Sequence, residues 1–516
     1  MHTSRISRKA FVSIPALGGI LASLCACDIR KSPGSKGSVK VSGSATSAPS
    51  GPHGGVALET SWKGVNLSVE AGPAVQKNKY TVMRVSFLIS HNAQVPADSV
   101  SLSSVFSEGA DPGTMLGLRM LDLERSLIYP QLNLSSGVGS ESLSKKKPVE
   151  IFPVFPSVGS DTQRVQLFLP SMGIVAVPVV KESDVQYSVD KILNDAKLPD
   201  GEIAPLKLDS IIETGDGSSD TKQDEKSTTV TVAGDVTFAT DSDQLSAPAD
   251  SVLASVVEQV KKYPSGGDLT ITGHTDDVAD DAHNQDLSER LKKLTDLSKW
   301  KESVSGKGES SPRVPNDSDE HRQVNRRVEI ALTPSKPTEA SAPSSTGAAP
   351  SSAAMPKASG PVGKGPEGVD VKIDAKTVHV SMERAVRVGR FLMGALMLDV
   401  DKEVSLPAAA FTMPGSVQDK YWPASSLAVC SLTLLSQGRY YLEASYSTSA
   451  SDSASDAVPL SNNFVYPLQP GAPTRLPAVW PDPGGDSIVL DVPPGENSVA
   501  PQRLSFRLTD IPVVDS

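Results

Sequence analysis

The sequence has few cysteines, few aromatic residues and no surplus of basic residues. Only three cysteines occur in 516 residues, and two of them lie near the N-terminus, so no disulfide framework is predicted. Aromatic residues make up 5% of the chain, whereas glycine and proline number 39 and 40. This composition is typical of β-rich modules joined by linkers rather than of one large enzyme. Because the chain is too long for one hydrophobic core, we expect several domains.

Several kinds of chemistry also lack support in the sequence. Lysine and arginine together number 49 against 60 acidic residues, which gives a net charge of −11, and binding to nucleic-acid phosphates needs the opposite balance. The chain contains no Gly-x-Ser-x-Gly, His-Glu-x-x-His or Cys-x-x-Cys motif. Acidic and histidine residues between 274 and 283 lack the spacing of a calcium loop. We therefore expect no enzymatic activity, no cofactor and no metal site.

The N-terminus carries the pattern of a secretory signal. Arg5, Arg8 and Lys9 precede a largely apolar run that ends at Leu24 and is too short to span a bilayer. The run is followed by Cys-Ala-Cys27, and the whole segment resembles a bacterial lipobox, which implies a lipid such as palmitate on Cys27. A plain cleaved signal peptide is the alternative. We assign residues 1–27 to the signal and residues 28–53, rich in Gly, Ser, Lys and Pro, to a flexible tether.

Two outer regions, residues 54–185 and 367–516, have the short alternating apolar runs of β-strands. Four landmarks occur in both regions in the same order: Met120–Arg125 and Met397–Lys402, Val154–Pro156 and Val479–Pro481, Val165–Pro170 and Ile488–Pro493, and Val177–Val180 and Ile511–Val514. Their order predicts an internal duplication. We expect two all-β immunoglobulin-like sandwiches. Such modules bind protein partners, carry carbohydrate-active sites or act as spacers, and the fold alone does not choose between these roles. Residues 186–227 and the Ala-, Pro- and Ser-rich residues 334–366 are predicted linkers.

The central region, residues 228–333, contains four motif segments in a characteristic order. They are Phe238–Asp243, Gly273–Asp276, Asn284–Arg290 and Arg322–Ile330. Their order and spacing resemble those of the OmpA-like peptidoglycan-binding domain. The resemblance implies a β-α-β-α-β fold in which two helices cover one face of a mixed sheet.

The residues support the same order of elements. Leu253, Val256, Val257 and Val260 have helical spacing and predict the first helix. Strands are predicted at residues 229–232, 268–272 and 327–332, and a second helix from Leu287 to about Trp300. The predicted fold class is therefore a multidomain chain with a central α/β OmpA-like domain between two β-sandwiches.

The resemblance also implies a ligand and a site. In the family the ligand is the diaminopimelate of the peptidoglycan stem peptide, whose ammonium group is held by a carboxylate after the central strand, here Thr275-Asp276. The cation that holds the ligand carboxylate comes from the motif segment Asn284–Arg290, and the resemblance also implies Asn284 as a ligand-binding residue. We predict Arg290 as this cation. In a competing register Leu291 takes the place of the arginine, and the cation is lost.

The last motif implies further contacts. Arg322, Asn325 and Arg326 belong to a segment that lies near the ligand pocket in the family, and either arginine could supply the cation if Arg290 does not. A structural role in tying the last strand to the preceding loop is equally compatible with these residues.

Together these features predict a lipid-anchored protein of the cell membrane that faces the cell wall or periplasm. The central domain would bind peptidoglycan without catalysis and so tether the membrane to the wall. The alternative is an envelope adhesion or assembly protein whose OmpA-like domain keeps its fold but no longer binds peptidoglycan.

Overall fold

The computed structural model describes residues 54–90, 118–133, 142–196, 198–201, 203–234, 249–275, 282–336, 355–373 and 375–406, and then 410–516 with several short gaps. All of these residues belong to one compact unit that begins at Ser42. The predicted signal peptide, Cys27 and the tether lie outside the described residues, as does Asp276. No helix in the described ranges is both long enough and apolar enough to cross a bilayer.

The first β-module spans Val56 to Val180 and is built on alternating strands. Its strands are β1 (Val56–Trp62), β2 (Val65–Lys77), β3 (Tyr80–Ile89), β4 (Arg119–Asp122), β5 (Leu127–Pro130), β6 (Val149–Ile151), β7 (Val154–Pro156), β8 (Arg164–Leu169) and β9 (Gly173–Val180). Every second residue at the start of β2 is buried, and Leu67, Val69, Val85 and Phe87 are fully enclosed in the module core. The strands pair in the order β5-β4-β8-β9-β2-β3-β6.

The segment after this module, predicted as a linker, is ordered over much of its length. It contains α1 (Val189–Asp195), β10 (Leu206–Lys207), β11 (Ser210–Thr214) and β12 (Ser219–Gln223). The hydroxyl of Ser188 accepts a hydrogen bond from the backbone N–H of Lys191 and so caps α1. β10 pairs with β5 of the first module. These elements are too short to give a clear hydrophobic period, which is why the sequence pattern resembles a linker.

The central unit has an α/β fold. Its elements are β13 (Thr228–Ala233), α2 (Ala249–Lys262), β14 (Gly267–His274), α3 (Ala282–Leu294), β15 (Trp300–Gly308), α4 (Asp319–Asn325) and β16 (Arg327–Pro334). The sheet order is β15-β14-β16-β13, with β14 and β15 parallel and the other pairs antiparallel. Leu253, Val256, Val257 and Val260 of α2 are buried in the core of this unit, as their spacing predicts.

Two details of the central unit differ from the prediction. The second helix ends at Leu294 rather than near Trp300, and Trp300 begins the edge strand β15. This strand has only Trp300 buried and Val304 partly buried against the core, so its sequence does not alternate clearly. The short helix α4, which lies directly before β16, was also not predicted.

The C-terminal β-module follows the same plan as the first. Its strands are β17 (Val362–Lys364), β18 (Val369–Ile373), β19 (Lys376–Ser381), β20 (Ala385–Val388), β21 (Phe391–Asp399), β22 (Thr433–Ser436), β23 (Arg439–Tyr441), β24 (Ser445–Ser447), β25 (Ala457–Pro459), β26 (Thr474–Pro481), β27 (Ser487–Val492) and β28 (Phe506–Asp515). The main path is β23-β22-β27-β28-β20-β21-β19-β18, and β26 pairs with β21.

Several strands of the two β-modules correspond and pair in the same register, although β17, β24 and β25 have no counterpart in the first module. Three pairs of opposed residues in the first module each correspond to a pair in the C-terminal module. Tyr80–Pro156 corresponds to Phe391–Pro481, Val165–Val177 to Ile488–Ile511, and Ala74–Val179 to Ala385–Val513. Three of the four sequence landmarks lie on these strands. The first landmark does not lie on corresponding strands. Met120 lies on β4 and Met397 lies on β21, but the strand of the first module that corresponds to β21 is β3. The immunoglobulin-like assignment stays a prediction.

The central unit and the C-terminal module are joined by continuous strand pairing. β12 pairs with β13 of the central unit, and β11 pairs with both β12 and β23 of the C-terminal module. The sheet of the central unit therefore continues into the C-terminal module. The two β-modules also share a buried cluster that includes Leu121, Leu123 and Phe168 from the first and Val386, Phe391 and Met393 from the second.

Candidate functional site

Two motif segments of the central unit, Gly273–Asp276 and Arg322–Ile330, meet at the carboxyl end of β14 as far as they are described, whereas Phe238–Asp243 lies outside the described residues. His274 lies opposite Arg327 of β16 on one side and opposite Gly308 of β15 on the other. The backbone N–H of Thr275 donates to the carbonyl oxygen of Gly308 at 3.2 Å. Strand pairing therefore gathers the end of β14, the end of β15 and the start of β16 at one edge of the sheet.

Thr275 is the last described residue before the predicted carboxylate. Its hydroxyl oxygen is buried and has no hydrogen-bond partner within the described part of the chain. A buried hydroxyl without a partner costs about 1–3 kcal/mol, and such groups are concentrated at sites of function. Asp276 follows directly in the sequence but lies outside the described residues. Its position is thus given only by that of Thr275.

A buried ionic group lies beneath this edge. Arg327 Nε donates to Glu329 Oε1 at 2.8 Å, and its two terminal nitrogens donate to the carbonyl oxygens of Asn325 and Ser311 at 3.3 and 3.2 Å. His274 Nε2 is 3.5 Å from Glu329 Oε2, at the limit of a hydrogen bond. Burial alone would raise the pKa of Glu329, but the neighbouring His274 and Arg327 outweigh it and lower this pKa to about 2. The group is a charged support for the site.

Asn325 fixes the loop in front of the site. Its Oδ1 accepts hydrogen bonds from the backbone N–H groups of Arg313 and Val314 at 2.7 and 3.1 Å. Its Nδ2 donates to the carbonyl oxygen of Val314 at 2.8 Å and to Asn316 Oδ1 at 2.7 Å. The residue is 1% exposed. Because the amide is engaged on all sides by protein groups, Asn325 holds the loop in this structure rather than facing a ligand.

The two arginines of the same motif flank this amide, with Arg322 on α4 and Arg326 directly after it. Arg322 forms an ion pair with Asp319 in the same helix, and its Nη1 donates to the carbonyl oxygen of Asn316 at 3.3 Å. Arg326 is half-buried and follows the helix, and its carbonyl oxygen accepts from the backbone N–H of Gly234 at 2.8 Å. The position of both guanidinium groups therefore depends on how firmly Asn325 holds α4.

Helix α3 places Arg290 and Leu291 in different surroundings. Leu291 is fully buried in the core of the central unit, whereas Arg290 is half-buried. Ser288 donates to Glu302 Oε2 at 2.8 Å, and Lys292 Nζ lies 3.0 Å from the same oxygen, so these residues face β15. The buried Leu291 cannot face a ligand. The side chain of Asn284, at the start of α3, lies outside the described residues.

Sequence reasoning missed a second group of charged residues near the site. Arg313, in the loop before α4, forms an ion pair with Asp220 of β12, with Arg313 Nη1 3.1 Å from Asp220 Oδ2. Arg313 comes from a polar loop and Asp220 from a predicted linker, so no local pattern distinguishes them. Only the long-range pairing of β12 with β13 could have located them.

No group of three or more metal-binding side chains occurs among the residues that the structure describes. Residues 276–281, which hold most of the acidic cluster considered in the sequence, are not among them.

Comparison with known proteins finds similarity to part of the chain. No protein-family model matches. The chain is 35% identical to outer membrane porin F of Pseudomonas aeruginosa over 111 residues, which are 20% of this chain and 31% of the porin. The chain thus spans about a third of the length of this curated relative. The similarity agrees with the resemblance to OmpA-like proteins that the motifs indicate.

Two solved structures are similar to a small part of the chain. The cell wall anchor of the T6SS from Pseudomonas aeruginosa is 25% identical, with 23% of this chain and 88% of that chain covered and a TM-score of 0.21. A putative MotB-like protein from Desulfovibrio vulgaris is 27% identical, with 23% and 82% covered and a TM-score of 0.20.

Proposed function

We propose that this protein binds peptidoglycan non-covalently through the carboxyl end of β14 and tethers the cell envelope membrane to the wall. The observation that carries the proposal is the convergence of separate motif segments at this edge. Gly273 and His274 pair with Gly306 and Gly308 of β15 on one side and with Val328 and Arg327 of β16 on the other, although the three segments are far apart in the sequence. Similarity to an outer membrane porin supports a place in the envelope.

The chemistry of the site suits a zwitterionic ligand. Diaminopimelate presents an ammonium and a carboxylate group, which need a fixed anion and a fixed cation. In the proposal Asp276, directly after Thr275, binds the ammonium, and Arg290 on α3 binds the carboxylate. The burial of Leu291 supports the register in which Arg290 has this role, because it leaves Arg290 rather than Leu291 available to the site. Arg322 and Arg326 are the further candidates for this cation in the proposal.

The structural supports of the site favour a preorganised pocket. The ion pair of Arg327 with Glu329 and the four hydrogen bonds of Asn325 hold the backbone around the site before any ligand arrives. Fixed side chains lose less conformational freedom on binding, so more of the contact energy contributes to affinity. Attachment to the membrane would come from the lipid on Cys27.

One observation favours the alternative function. The sheet of the central unit continues through β12 and β11 into the C-terminal module, so this unit also has a structural role within the chain. An adhesion or assembly protein could use the central unit for this role alone.

A titration of the full-length protein with a diaminopimelate-containing muropeptide tests the proposal. Isothermal calorimetry of the unmodified chain should show binding that Asp276→Ala and Arg290→Ala each weaken at least tenfold. Asp268→Ala, at the exposed opposite end of β14, and Lys293→Ala, exposed on α3, are matched controls that should leave binding unchanged. Absence of binding by the unmodified chain would refute the proposal and favour the structural alternative.

The lipid anchor needs its own experiment. Metabolic labelling with a fatty-acid analogue should mark the unmodified protein and not Cys27→Ala. Label retained by the variant would exclude Cys27 as the acceptor.

A further inference from the structure

Arg313 lies where the central unit meets the C-terminal β-module. Its guanidinium is nearly enclosed, with the side chain 12% exposed, and it donates from Nη1 to Asp220 Oδ2 at 3.1 Å. The same guanidinium lies over the ring of Tyr421, 5.1 Å from its centroid, in a cation–π contact. Tyr421 belongs to the C-terminal module. One side chain thus connects the two units.

Further charged groups make this contact specific. Lys420 Nζ lies 3.1 Å from the Asp220 oxygen that Arg313 contacts and 2.7 Å from Glu213 Oε1 on β11. The hydroxyl of Tyr421 donates to the same Glu213 oxygen at 3.1 Å. Two cations therefore face two carboxylates in a buried interface, with Asp220 shared by Arg313 and Lys420 and with Lys420 shared by Asp220 and Glu213. Burial alone would raise the pKa of Asp220, but Arg313 and Lys420 outweigh it and lower this pKa, so Asp220 is charged.

The backbone of the same residue reaches the candidate site. The N–H groups of Arg313 and Val314 both donate to Asn325 Oδ1, and Val314 is almost fully buried. Asn325 lies between Arg322 and Arg326 in the sequence. A shift of Arg313 would therefore move the amide that holds α4, and with it both arginines.

We propose that Arg313 is a positioning residue through which the C-terminal β-module holds the peptidoglycan-binding edge of the central unit in its binding conformation. The inference rests on the proposed function. It predicts that the two sites are coupled: the module orders the loop for the ligand, and the ligand in turn orders the Tyr421 contact, because coupling between two sites acts equally in both directions.

The test uses full-length variants and the muropeptide of the first titration. Arg313→Met keeps the length of the side chain and removes its charge, and Asp220→Asn removes its partner. Each substitution should weaken muropeptide binding about fivefold or more. The double variant should bind the muropeptide as tightly as the single variant with the lower affinity, because both substitutions break the same connection. Arg313→Lys, which keeps a charge that can reach Asp220, should recover part of the affinity.

The buried ion pair of Arg507 with Asp491 provides a matched control. Its Nε–Oδ1 distance is 2.6 Å, its exposure is similar, and it lies within the C-terminal module away from the site. Arg507→Met should lower the thermal stability of the module and leave muropeptide affinity unchanged. If Arg313→Met fails to fold, Tyr421→Leu removes the same contact from the other side and serves in its place.

Amide hydrogen exchange gives a readout that a merely stabilising role would not affect. In the unmodified chain, muropeptide should slow exchange in residues 420–422 as well as in the loop before α4, and this distant protection should disappear in Arg313→Met. Equal affinity of Arg313→Met and the unmodified chain, or no distant protection, would overturn the inference and leave the proposed function standing. Failure of the unmodified chain to bind would instead overturn the proposed function.

Discussion

Glu329 of β16 lies beside His274 at the end of β14, with 3.5 Å between Oε2 and Nε2, and Arg327 contacts its other oxygen at 2.8 Å. This carboxylate connects the two strands whose ends form the candidate site. It is a charged group that folding stabilises, because its pKa falls from 4.5 to about 2 in the folded chain. The contribution of this carboxylate to the stability of the folded chain must therefore depend on pH.

The contribution of Glu329 to stability is expected to vanish in acid. A group whose pKa is lowered by folding stabilises the folded state above its unfolded pKa, and the effect is lost as the pH falls from about 4.5 towards 2. The full shift corresponds to about 3 kcal/mol, and screening of a carboxylate that is 33% exposed reduces this to about 1–2 kcal/mol. Urea denaturation should show Glu329→Gln less stable than the unmodified chain at pH 7 and equal to it near pH 2. A difference that persists unchanged at pH 2 would contradict the assignment.

Loss of the Asn325 amide should loosen the loop before α4. Asn325→Ala leaves the backbone N–H groups of Arg313 and Val314 without their acceptor, at a cost of about 1–3 kcal/mol each. We expect their amide exchange to become at least tenfold faster. Asn325→Asp, which keeps the acceptor, should have a smaller effect, and Asn194→Ala on the exposed side of α1 should have none. Unchanged exchange in Asn325→Ala would show that the loop is held by other contacts.

The two candidate residues of α3 should respond oppositely to truncation. Leu291 is fully buried among Leu269, Ile271 and Ile330, so Leu291→Ala should cost about 2–4 kcal/mol of stability. Arg290→Ala should cost less than about 1 kcal/mol and act on muropeptide affinity instead. Thermal unfolding and calorimetry of the two variants separate these effects. A stability loss in Arg290→Ala as large as that in Leu291→Ala would mean that Arg290 is a structural residue.

The first helix and the inner strands of the central unit are predictable because each has a clear apolar period. Leu253, Val256, Val257 and Val260 repeat at helical spacing, and β14 and β16 have buried residues at alternate positions. The edge strand β15 has polar residues on both faces, so no local pattern indicates it. The role of Asn325 and the burial of Arg313 depend on partners elsewhere in the chain. Such contacts are created by strand pairing and cannot be inferred from a window of sequence.

The predicted internal duplication shows the same limit. Matching landmarks predict that the outer regions share a fold, and the register of Tyr80 with Pro156 and of Phe391 with Pro481 is equivalent. The sequence does not indicate that equivalent surfaces of the two modules are buried by different elements. α1 packs over Val75, Val82 and Val154 in the first module, whereas the matching Val386, Met393 and Val479 pack against the other β-module.

The contact between the two β-modules should be sensitive to one glycine. Gly389 has a φ of +57°, and a Cβ there would lie 3.0 Å from Glu124 Cα and from the carbonyl oxygen of Leu123 in the first module. Gly389→Ala therefore combines backbone strain of about 1–2 kcal/mol with a steric clash of about 1–3 kcal/mol across the interface. Gly484, with a φ of +80° and no atom within 4 Å of such a Cβ, is a matched control in which only the strain applies. We expect Gly389→Ala to lower the thermal unfolding midpoint more than Gly484→Ala and to speed amide exchange in the turn around Leu123. Equal midpoints for the two variants would mean that the β-modules separate at little cost.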